Sequence, residues 1–120
     1  MKVINANQVS KDPVNSPLFS GTVTRQTMLT KETSNSFNMG IVNFAKGARN
    51  KFHTHTTDQM LIVTAGTGIV ATEKEQTTVT VGDTILIPAG EKHWHGATEN
   101  SEFSHIAITA AGSKSTQLEN

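Results

Sequence analysis

Five histidines stand in three short segments of a 120-residue chain: His53 and His55, His93 and His95, and His105. Residues two apart in an extended strand point to the same face, so His53 and His55 project together, and so do His93 and His95. Gln59 follows His55 by four residues, across the turn-like Thr56 to Asp58, where a neighbouring strand would bring its amide beside the first pair. Imidazole nitrogens with an amide oxygen suit a divalent first-row metal, and Mn²⁺, Fe²⁺, Zn²⁺ and Ni²⁺ all accept such donors. The chain has no cysteine, which excludes disulfides and thiolate metal sites and fits a reducing cytoplasm. A single His-x-His is equally at home on a solvated strand face. Two such pairs, with no histidine scattered outside the three segments, point to a shared metal site instead.

The elements that must hold these residues are short strands. Runs rich in Val, Ile, Thr and Phe occur at Gly21–Thr30, Phe37–Phe44, Asn50–His55, Gln59–Thr64, Gly68–Thr72, Thr77–Val81, Thr84–Ile87, Lys92–Ala97 and Phe103–Thr109. Turn residues separate them every 8 to 12 positions, and no window carries a helical period, so the fold class is all-β, a sandwich or barrel. Ala65 to Gly68 reads as a tight hairpin connection, with glycine supplying positive φ. The expected organisation is one domain: an N-terminal arm over residues 1–20, a barrel over 21–110, and a polar, mobile tail over 111–120. Edge strands need cover, which the arm would give by pairing with a second subunit in a homodimer.

Ten basic and ten acidic residues give a formal net charge of zero. That balance excludes the basic footprint of a nucleic-acid or anionic-membrane binder, and no stretch approaches the roughly 18 apolar residues of a membrane span. Met1 to Asn7 lacks the charged start and apolar run of a secretion signal. A small-molecule substrate is the partner that remains.

The glycine spacing adds to the histidine pattern. Gly47-x5-His53-x-His55-x3-Gln59-x6-Gly66 and Gly82-x5-Pro88-x-Gly90-x2-His93 resemble the two sequence motifs of the cupin superfamily. Gln59-Met-Leu-Ile-Val-Thr-Ala-Gly66, Gly90-Glu-Lys-His-Trp-His-Gly-Ala97 and Ser104-His-Ile-Ala-Ile108 further resemble the small bacterial cupins that include the manganese-dependent hydroxynitrile lyases. The resemblance implies a single cupin barrel, a double-stranded β-helix of jelly-roll type. It also implies a metal, manganese in those lyases, on His53, His55, Gln59 and His93. Lys92, His95 and His105 would then lie near the cavity as catalytic candidates.

This chain departs from the family in four places. Gln59 stands where the superfamily usually has Glu, and Ala97 where its second motif usually ends in Asn. Thr109 and Phe52 replace a Gln and a Trp of the lyases. Three neutral imidazoles and a neutral amide leave the ion's charge uncompensated. Such a site holds its metal less tightly but polarises a bound oxygen, or attracts an anion, more strongly.

His105 would serve as a general base if it faces the interior, because its ordinary pKa lies near neutrality; otherwise it is a hydrogen-bonded core histidine. His95 shares the face of His93 and would orient substrate or support the ligands. Lys92 and Arg49 would stabilise an anionic substrate if turned inward, whereas Trp94 and Met60 alternate away from the ligand face. Three functions follow as expectations: a metal-dependent lyase cleaving cyanohydrins, an enzyme ketonising unsaturated uronates or using oxygen, and a barrel that binds a metal or small ligand without turnover.

Overall fold

The chain forms twelve strands in a computed structural model that describes residues 1–120. They are β1 (Asp12–Pro13), β2 (Phe19–Ser20), β3 (Val23–Leu29), β4 (Phe37–Phe44), β5 (Arg49–Asn50), β6 (His53–His55), β7 (Gln59–Thr72), β8 (Gln76–Thr80), β9 (Thr84–Ile87), β10 (His93–Ala97), β11 (Phe103–Ala110) and β12 (Ser115–Gln117). The one helical element is a 3₁₀ turn, Ala6–Gln8. No helix is long and apolar enough to cross a membrane. All pairings are antiparallel, and the sheet curls into a barrel in the order β1-β3-β4-β11-β7-β10-β5-β2, with β8 and β9 on β7 and β6 joining β10 to β12.

The register stacks the inward side chains in rows two residues apart. Phe103, Phe44 and Val23 lie opposite one another and form an apolar row. His105, Val42 and Arg25 form the next, then Ala107, Gly40 and Thr27. Beyond them Thr109 pairs with both Asn38 and Gln59. The barrel is therefore apolar at one end and polar at the other. Phe44 and Phe103 stack with ring centroids 5.8 Å apart, and Leu61 and Val63 belong to the same buried core. Burying each of these side chains stabilises the fold by about 1.5–3 kcal/mol.

Two expectations are corrected. The hairpin expected at Ala65 to Gly68 does not form, because β7 runs unbroken through it for 14 residues. Gly66, at φ +71°, instead accommodates a bulge: the register against β11 shifts between Ser104 and His105, and a Cβ at Gly66 would collide with the Glu102 carbonyl. At Gly68 a Cβ would sit 2.6 Å from the Phe103 ring, so that glycine gives the core phenylalanine its space. The tail expected to be mobile forms β12 on β6, and beyond it the Leu118 N–H donates to the Phe52 carbonyl at 2.8 Å. Polar side chains concealed this strand, because both of its faces are exposed and no alternation marks them. The arm is also tied to its own chain. β1 pairs with β3, β2 pairs with β5, and the buried Gln26 amide donates to the Ala6 carbonyl at 2.8 Å and the Val9 carbonyl at 3.2 Å.

Candidate metal centre

Two strands bring the first histidine group together, and a third adds Gln59. His53 of β6 lies directly opposite His93 of β10, and His55 follows on the same face of β6. Each of the three offers a nitrogen, and these nitrogens all lie within 4.8 Å of one another. Gln59, the first residue of β7, adds its amide: Oε1 stands 3.2 Å from His93 Nε2. His53, His93 and Gln59 are buried, and His55 is half-buried.

Main-chain carbonyls orient two of the rings. His53 Nδ1–H donates to the Lys51 carbonyl at 2.6 Å, and His93 Nδ1–H donates to the Glu91 carbonyl at 2.8 Å. Each ring is thereby held in the tautomer that leaves Nε2 with its lone pair. For His93 that lone pair faces the Gln59 carbonyl oxygen, another acceptor, with no proton to share between them. His55 Nδ1 is buried without any hydrogen-bond partner. Burial pushes the His53 and His55 pKa values down to about 4 and lowers that of His93, so all three are neutral near pH 7. Converging acceptors, an orphaned ring nitrogen and an absence of protons fit a cation. The neutral nitrogen and oxygen donors fit a divalent transition metal.

Behind this cluster lies a second histidine pair with different wiring. His95 and His105, both at most 3% exposed, approach with His105 Nε2 2.9 Å from His95 Nδ1. Asn50, also buried, directs the pair. Its Oδ1 accepts from the His95 backbone N–H at 2.8 Å, which turns its NH₂ toward the His95 ring, 3.2 Å from Nε2 and 3.4 Å from Nδ1. The arrangement in which no donor faces a donor gives His95 an Nε2 lone pair and an Nδ1–H that donates to His105 Nε2. The remaining His105 proton then resides on Nδ1, which is buried and unpartnered. Burial is the main cause that lowers the pKa of both, with His105 near 4.

His53, His55 and Gln59 of the first group and both histidines of the second line one cavity of about 340 Å³, together with Val42, Gly40, Thr109 and Arg25; His93 lies behind its wall. Lys92 and Arg49, expected as possible anion binders, do not line it. Lys92 pairs with Glu73 at 3.3 Å and lies over the Phe52 ring at 5.0 Å; Arg49 bonds Glu119 at 2.7 Å and stacks on Trp94 at 4.1 Å. The reason is parity, since Lys92 precedes His93 by one residue and so projects to the opposite face. Sequence reasoning missed Asn50 and Arg25. Asn50 precedes His53 by three residues and carries no motif, and only the β5 to β10 contact discloses its role.

The geometry agrees with what the chain is similar to. A protein-family model described as the cupin domain matches residues 40–109. An (R)-mandelonitrile lyase from Granulicella tundricola is 44% identical over 68 residues, which cover 56% of this chain and 52% of that protein; the match thus spans about half the length of the relative. Among solved structures, a cupin-like protein from Thermotoga maritima superposes with TM-score 0.87 at 29% identity, covering 94% of this chain and 89% of that one. The polyketide cyclase RemF from Streptomyces resistomycificus superposes with TM-score 0.89 at 15% identity, over 100% of this chain and 87% of that one, a likeness of fold alone. A family match across more than half of the chain, on a barrel whose histidines converge as the motifs require, makes this protein a member of the cupin family.

Proposed function

We propose that this cupin is a metal-dependent lyase of the hydroxynitrile lyase type, acting on a small substrate that carries a hydroxyl, carbonyl or nitrile group. The observation that carries the reading is that one cavity is lined both by His53, His55 and Gln59 of a converging set of neutral donors and by a buried, proton-ordered histidine pair. The 44% identical mandelonitrile lyase supports it. His53, His55, Gln59 and His93 would hold the metal, taken as Mn²⁺. When bound, the ion supplies positive charge that polarises a substrate oxygen or nitrogen and favours loss of a hydroxyl proton.

The chain's own residues supply the rest. His105 is uncharged near pH 7 because burial lowers its pKa, and its one lone pair, on Nε2, takes a proton from substrate when the hydrogen bond from His95 Nδ1–H opens. His95 and Asn50 set the direction of the hydrogen bond to His105 and hold its ring in place. Thr109, opposite Gln59 on β11, presents a hydroxyl to the same space. Lys92 has no catalytic part in this scheme. Phe44 and Phe103, packed at 5.6 and 5.5 Å from the His105 ring, keep water from that side. A homodimer belongs to the proposal as well, and Met60 and Leu86, exposed neighbours across β7 and β9, offer apolar surface for it. Sizing chromatography tests that part.

The reaction is tested by mandelonitrile cleavage with Mn²⁺-loaded protein, metal-free protein, and the His53→Ala and His105→Ala variants. Benzaldehyde release above the spontaneous rate is expected only with metal. Loss of His105 should lower kcat by about 10²–10⁴, the range of general acid–base catalysis. A fully metallated protein that leaves mandelonitrile intact would end the cyanohydrin reading for that substrate.

A further inference from the structure

The cavity carries a charge that the lyase chemistry leaves unused. Of the twenty residues lining it, Arg25 is the one with a charged side chain, and neither Asp nor Glu is among them. Arg25 lies on β3 in the row of Val42 and His105, so its side chain shares the inner face with the buried histidine two strands away. It is exposed at the rim, where a ligand can reach it.

The guanidinium makes no hydrogen bond and belongs to neither of the two ion pairs of the protein, Arg49–Glu119 and Lys92–Glu73. Asp12 is the residue directly opposite Arg25 on β1, yet its carboxylate accepts from the Ser10 hydroxyl at 2.8 Å. An arginine that only closed a sheet edge would take the carboxylate across from it. Instead the Arg25 guanidinium lies 5.8 Å from the centre of the Phe19 ring, a position that restricts the side chain without using any of its five donors.

We propose that Arg25 is the anion anchor of this cavity and that its natural ligand is a small carboxylate. The planar, two-pronged guanidinium matches a carboxylate better than it matches a nitrile or a neutral alcohol. Around it the cavity offers the neutral polar side chains Thr27, Asn38 and Thr109 and no negative charge to compete. A volume of about 340 Å³ holds a small acid, at the lower end of the range for ligand pockets. The inference deepens the proposed function, because it rests on the same cavity. It makes cyanohydrin cleavage a side activity of a site shaped for an acid.

The test uses the whole metal-free protein, so that no metal contributes to anion binding, with calorimetric titration of mandelate, of neutral mandelamide and of inorganic phosphate. Mandelate is expected to bind, and Arg25→Gln to weaken it about tenfold or more, with Arg25→Lys intermediate. Mandelamide binding, Mn²⁺ affinity and the thermal midpoint should stay unchanged in Arg25→Gln, which separates a lost anchor from a damaged fold. Equal binding of mandelate by wild type and Arg25→Gln would overturn the proposal. So would phosphate binding as tight as mandelate, because the site would then select charge and not a carboxylate. If mandelonitrile is not cleaved but mandelate binding depends on Arg25, the lyase reading fails and the anchor stands.

Discussion

His53, His55 and His93 share much with His95 and His105. All five face inward from strands, and in all five burial lowers the pKa. They differ in where their protons go. In the first group, carbonyl oxygens of Lys51 and Glu91 take the protons outward, so lone pairs are left facing one another. In the second, Asn50 orders the protons along a line, so donor meets acceptor and no surplus of lone pairs accumulates. Only the first arrangement asks for a cation; the second places its protons and lone pairs in one ordered line. Histidine count and burial therefore do not distinguish a metal ligand from a base. The partner of the other ring nitrogen does.

The largest test of this contrast is metal affinity. His53→Ala should weaken Mn²⁺ binding by more than about 100-fold, because even the partners that merely orient ligands are worth 10–100-fold. His95→Gln should change it by less than about tenfold. Calorimetric titration of both variants checks the pair, and equal losses would merge the two groups into one site.

Acid stability of the metal-free protein draws on all five histidines, and comparison with a His105 variant isolates the share of the second group. His105 has a folded pKa near 4 against an ordinary value of 6.5. Between those values the unfolded chain binds more protons than the folded one, so stability is fully present above pH 6.5 and is lost as pH falls toward 4. The loss from this histidine is about 3 kcal/mol. Urea unfolding of metal-free protein across that window should show it, and His105→Gln should flatten the slope. His95 and Arg25 face His105, and the variant also relieves the part of the His95 lowering that His105 causes. An unaltered slope would contradict the assigned cause.

Asn50→Ala should destabilise the fold by about 1–3 kcal/mol, because it leaves the buried His95 N–H without an acceptor. It should also lower kcat on any substrate whose proton His105 takes, while Mn²⁺ affinity holds. A parallel loss of metal would show that the two groups are not separate. The smallest effect belongs to Gln59→Glu, which adds a charged donor to the first group and should tighten Mn²⁺ binding about tenfold. Titration beside the wild type measures it.

Much of the first group was legible along the chain. Strand parity places His53 with His55, and the cupin-like spacing singles out Gln59 and His93, because ligand geometry there depends on residues close in sequence and on a repeated period of two. The strands Phe37–Phe44 and Thr84–Ile87 were equally plain, being bounded by turn residues on both sides. β7 was not, since glycines at 66 and 68 imitate a hairpin when their true task is to admit the Glu102 carbonyl and the Phe103 ring.

By itself, then, the sequence determined the all-β class, the family and the donor types, all of them local or periodic properties that survive without knowing which strands are neighbours. Tertiary structure alone decided which cation faces the cavity, Arg25 and not Lys92 or Arg49, and which residue orders the protons of His95 and His105. Both depend on pairings between distant segments, β3 with β4 and β11 in one case, β5 with β10 in the other. A shift of one residue in either register would turn those side chains to the opposite face.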